Sequence, residues 1–218
     1  MQLLFKLFLN RSAYKKGVIN MRYGLEIFDM GVFKRSIVLL IMFQLISWSV
    51  FGISYFFNQD AWIDIVYVNP NIASEGGWVS TFLFIFINNS IICILIVVGN
   101  LFVRFGVITP GLMILLIQAV IIGWLAGSNG FEVPFVSVKE ANLQFLRVGL
   151  WETIAYVLAC SITLPKSLHI ADTFPAKQWT TVRKFKDIKL SLRENIVMIT
   201  CIMFLLSAAV IETIFIMG

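Results

Sequence analysis

The sequence predicts an all-α protein: a polytopic integral membrane helix bundle of five transmembrane helices, preceded by N-terminal interfacial helices. Three observations predict it. Of the 218 residues, 59% are hydrophobic and only 13% are charged, and no soluble core of this length hides that much apolar side chain from water. The apolar residues gather in five runs, each near the ~20 residues that cross a hydrocarbon core. The basic residues gather in alternate connections, as the positive-inside rule requires. This composition excludes a soluble globular protein, a disordered chain and a nucleic-acid-binding module. The net charge of +5 is therefore read as a topology signal and not as a nucleic-acid footprint.

Residues 1–35 form a cytoplasmic, interfacial amphipathic segment. Its apolar stretch is broken by Lys6 and followed by Arg11, Lys15 and Lys16, which does not suit a cleavable signal peptide. Apolar and basic residues alternate here as they do in helices that lie in the membrane interface. Val18, Ile19, Leu25, Ile27 and Phe28 are expected to enter the lipid.

Residues 36–217 form the membrane domain. Its spans are expected at about 36–58, 80–103, 107–126, 145–164 and 195–217. Each is a helix, because lipid offers no other partner for the backbone of an isolated apolar run. Spans 2 and 3 are joined by a tight cytoplasmic hairpin at Arg104 to Gly106, and Pro110 is tolerated at the start of span 3. Gly123 and Gly127 make a small-xxx-small pair suited to close helix packing. The three cysteines, Cys93, Cys160 and Cys201, lie inside apolar runs and read as buried hydrophobes, not as a disulfide framework.

The connections orient the bundle. Residues 1–35 carry seven Lys and Arg, and the segment after span 4 carries seven more, together fourteen of the seventeen in the chain. The loop after span 1 carries none. The N-terminus is thus expected in the cytoplasm and the C-terminus outside. Trp62, Trp78 and Trp124 fall at the outer boundaries, where an aromatic belt belongs.

Ionisable residues inside a membrane are costly, so each is a functional candidate. At 1.5 Å per residue, Glu152 lies about 10 Å inside the outer end of span 4 and Glu212 about 9 Å inside that of span 5. Asn88 and Asn89 lie about 12 Å inside span 2 by the same arithmetic. Gln118 of span 3 is nearer the midplane. The five are expected to share one intramembrane polar layer, either lining a substrate path or holding helices together. On the cytoplasmic side, Arg22, Lys34, Arg35, Arg183, Lys184 and Lys186 are expected to meet a partner protein or anionic lipid. The stretch 166–194 is basic and has helical punctuation, and Lys177 to Arg193 are expected either to lie along the anionic inner leaflet or to dock an acidic cytoplasmic protein. His169 reads as incidental. No catalytic triad, metal site or cofactor motif is present, so no enzyme is expected.

The order of several positions over about residues 80–217 resembles the stage II sporulation protein M family of bacterial and archaeal membrane proteins. They are Asn88-Asn89 and Gly99 in span 2, then Pro110 and Gly123 in span 3. Gly149-x-x-Glu152 and Ala208-Ala209-x-Ile211-Glu212 follow. The chain departs from the family at Val148, where many members carry His. The resemblance implies a non-enzymatic subunit of an envelope complex in a prokaryotic plasma membrane. It implies foremost a permease or secretion subunit working with a cytoplasmic ABC-type ATPase, and next a scaffold that recruits cell-wall remodelling proteins. Expected partners are membrane lipid, other membrane subunits or further copies of the chain, and the ATPase. No cofactor is expected.

Overall fold

The computed structural model describes residues 26–63, 77–131, 134–171 and 174–217. Five helices are long and apolar enough to cross a membrane. Helix α1 spans Val32–Phe57, α2 Gly77–Phe102 and α3 Pro110–Ser128. The fourth span is one continuous helix, Val138–Lys166, made of α4 (Val138–Gln144), a π-helical turn (Phe145–Gly149), α5 (Leu150–Thr163) and a short 3-10 end. Helix α6 spans Leu192–Met217.

The expected spans agree with these helices to within about three residues at most ends, and the departures have local causes. Helix α6 starts early because Ser191 and Glu194 form a reciprocal cap: Glu194 N–H donates to Ser191 Oγ at 3.3 Å, and Ser191 N–H donates to Glu194 Oε2 at 2.8 Å. The fourth span starts seven residues early for the same reason. Ser137 Oγ accepts from Glu140 N–H at 3.2 Å, and Glu140 Oε2 accepts from Val136 N–H at 3.1 Å. Ser-x-x-Glu is a legible helix start, and it turns part of the expected outer loop into α4.

The fourth span is the centre of the bundle. In its most apolar stretch 56% of residues are buried, against 17–33% for the other four helices. Small residues allow this. Ala155, Ala159, Ala208 and Ala209 are all buried, letting α5 and α6 approach closely. Leu39, Phe43, Ile96, Leu115 and Leu164 fill the remaining core with no exposed surface. All three cysteines are free and buried, as expected. The Gly123–Gly127 pair lies against α1. A Cβ on Gly127 would stand 2.5 Å from Phe51 O, and one on Gly123 would meet Ser47 O. Around them Ser54 Oγ–H donates to Trp124 O at 2.8 Å, and Trp62 Nε1–H donates to Gly127 O at 3.0 Å.

A small sheet closes the end that the charge pattern assigns to the cytoplasm, and nothing in the sequence announced it. Strands β1 (Val103–Phe105), β2 (His169–Ala171) and β3 (Thr180–Thr181) lie in that order. β1 and β2 are parallel, with Val103 opposite His169; β2 and β3 are antiparallel. The expected hairpin between spans 2 and 3 is present, with Gly106 at φ 54° and its N–H donating to Ala171 O at 2.7 Å. The expectation of a helical run over 166–194 is corrected. Beyond Lys166 the described residues hold no α-helix until Leu192, only the strands β2 and β3, a 3-10 turn at Phe185–Asp187 and irregular backbone. Within this stretch β2 pairs with β1, a partner more than sixty residues away in sequence.

Most of the interfacial segment lies outside the described residues, including Val18, Ile19, Leu25 and Arg22. Its described end is corrected. Ile27 is 3% exposed and packs in the bundle core instead of entering lipid.

Candidate functional site

Three helices bring polar groups together in the half of the bundle opposite the sheet. Glu152 and Tyr156 are one turn apart on α5 and share a face. Asn89 of α2 lies between them. Its Nδ2–H donates to Glu152 Oε1, and its Oδ1 accepts from Tyr156 O–H at 2.6 Å. The carboxyl of Glu212, from α6, is in hydrogen-bond contact with that of Glu152. The result is a chain from Tyr156 through Asn89 and Glu152 to Glu212. Asn89 is 9% exposed and Tyr156 2%, so each polar atom there needs a partner, and the Asn89 amide satisfies both neighbours at once.

The two carboxyls border a cavity of about 440 Å³. Trp48 and Phe51 of α1, Phe135, Phe145 and Phe215 of α6 give it aromatic walls. Gly123 and Gly149 also line it. Above Glu152, the π-helical turn Phe145–Gly149 widens the helix; such turns recur at functional sites. Phe145 packs so closely on Gly149 that a Cβ there would lie 2.7 Å from its ring. Glu140 is a third carboxyl on the lining, whereas no described lining residue is Lys, Arg or His. Arg147 is exposed and does not line the cavity.

The expected five-residue layer is therefore only partly assembled. Asn89, Glu152 and Glu212 meet. Asn88 is exposed on the outer surface of α2, because successive helical residues are turned by about 100° from one another. Gln118 is half-buried on α3 and does not line the cavity. Glu152 also lies deeper along its helix than expected, midway along Val138–Lys166, since α4 extends the span outward. Tyr156 was missed. Its signal was the four-residue spacing from Glu152, which puts a hydroxyl on the carboxyl's face.

A second polar cluster, also missed, lies near the sheet. Asn100 has no exposed surface. Its Nδ2–H donates to Thr163 Oγ1 at 2.9 Å, and its Oδ1 accepts from Thr109 Oγ–H at 2.5 Å. Thr109 Oγ1 also accepts from Leu112 N–H at 3.1 Å, capping α3. Lys166 is paired with Glu194 at 2.9 Å, joining the sheet-side ends of the last two spans.

Of the cytoplasmic set, Lys34, Lys184 and Lys186 are exposed and Arg183 is half-buried. Arg35 is corrected: it is 4% exposed and cannot meet a partner or lipid headgroup. Its guanidinium donates to the backbone carbonyls of Ile27 at 2.8 Å, Phe28 at 3.1 Å and Ser161 at 2.5 Å, and to that of Met30. Five fixed donors suit arginine to gathering carbonyls, here tying the turn before α1 to α5.

Comparison of the chain with protein-family models, with curated proteins and with solved structures found no match.

Proposed function

We propose that this chain is a non-enzymatic integral membrane subunit of an envelope complex, a permease or secretion subunit working with a cytoplasmic ABC-type ATPase. The observation that carries the reading is the cavity with a carboxyl pair on its lining, among helices whose most apolar stretches carry at most two charged residues each. Helical glue alone needs no cavity: Asn89 already donates to Glu152 and is itself held by Tyr156, yet open volume remains beside the carboxyl. The resemblance to the stage II sporulation protein M family supports the ATPase as partner. The exposed Lys34, Lys184 and Lys186 supply a basic cytoplasmic surface on which it would dock. In this reading the membrane is the plasma membrane of a prokaryote and the cavity faces outward.

The test is cross-linking in native membranes, followed by purification in mild detergent. An ATPase with an ABC-type nucleotide-binding domain is expected to co-purify, cross-linked through Lys184 or Lys186. Recovery of cell-wall hydrolases with no ATPase would overturn the permease reading in favour of a scaffold.

A further inference from the structure

We infer that the cavity is a binding site for an organic cation, a guanidinium or primary ammonium head carried on an apolar body. The inference deepens the transport reading, on which it rests, by naming the class of cargo.

The head follows from the carboxyls. Glu140, Glu152 and Glu212 place three carboxyl groups on the lining. A charge held among apolar side chains demands a counter-charge, and no described residue on the lining is basic. A planar guanidinium or an ammonium supplies both the opposite charge and N–H donors for the carboxyl oxygens.

The body follows from the walls. Trp48, Phe51, Phe135, Phe145 and Phe215 line it with aromatic rings. A small metal ion wants six or more oxygens gathered around one point, and among the described residues no three carboxyl, Cys or His side chains gather closely enough to hold one. Aromatic rings do attract organic cations through their π faces, and they bury an attached hydrocarbon. A volume of about 440 Å³ is within the ~300–1,000 Å³ common for small-molecule sites.

The experiment uses the full chain in nanodiscs of zwitterionic lipid, without any ATPase, and calorimetric titration. Octylguanidinium is the probe and octylurea its neutral, nearly isosteric control. Octylguanidinium is expected to bind saturably, one per chain, and at least tenfold more tightly than octylurea. The E152Q/E212Q double variant is expected to lose that tenfold preference. Trp48→Leu, at a half-exposed position, should weaken octylguanidinium by about threefold, the scale of a cation–π contact at such a site. Equal binding of the two probes to the native chain would overturn the inference, whether or not the double variant folds. Because no ATPase is present, that failure leaves the partnership standing. Conversely, a preserved preference with no ATPase in the cross-linking experiment retains the cation site and removes the partner.

Discussion

Arg35 shows how far burial can redirect a residue that reads as a surface charge. In the sequence it belongs to a basic pair with Lys34 at the mouth of a span. In the bundle the two separate completely: Lys34 is exposed, while Arg35 is 4% exposed and holds four backbone carbonyls. Removing a buried donor leaves its buried acceptors, here Ile27 O and Ser161 O, without partners, at roughly 1–3 kcal/mol each. Arg35→Met is therefore expected to lower stability by on the order of 3 kcal/mol, read as a fall in the thermal midpoint in detergent. Lys34→Met should stay within about 0.5 kcal/mol of the native chain, as exposed substitutions do. An equal effect of the two substitutions would show that Arg35 does not hold the turn. Glu152 and Glu212 are the opposite case. Their cost in lipid makes them legible as single residues; that they meet depends on how α5 and α6 cross.

At the scale of elements, the helix pair α1–α3 depends on glycines whose sequence signal is short. Gly123 and Gly127 let the α1 backbone approach to within contact of α3, and a Cβ on Gly127 would stand 2.5 Å from Phe51 O. Gly127→Ala must push the helices apart, at about 1–3 kcal/mol, the usual cost of overpacking. Gly52, on α1 with nothing within 4 Å of its added Cβ, has the reverse expectation: alanine there should be neutral or stabilising by up to about 1 kcal/mol, because helical glycine is unfavourable. Unfolding of both variants in detergent checks the contrast; a destabilising Gly52→Ala would count against the packing described. The helix starts at Ser137 and Ser191 were readable as Ser-x-x-Glu caps. The strands were not, since β1 and β3 are only three and two residues long and carry no period of their own.

For the whole molecule, the charge asymmetry predicts which loops face which compartment. Gln59→Cys should react with an impermeant thiol reagent from outside the cell, and Lys184→Cys only after the membrane is opened. The native Cys93, Cys160 and Cys201 are 7%, 0% and 7% exposed and should stay silent. Labelling in the opposite order would invert the topology and place the cavity on the cytoplasmic side. The number of spans, their rough bounds and the cost of Glu152 and Glu212 were determined by the sequence alone. Each depends on local hydropathy, which lipid selects segment by segment. Tertiary structure alone decided that Asn89 and not Asn88 joins the carboxyls, that Tyr156 completes the chain, that Arg35 is interior, and that residues 103–105 pair with 169–171. The physical reason is the same in all four. Each depends on which face of one element meets another that is distant in the chain, and a single run of residues does not encode that meeting.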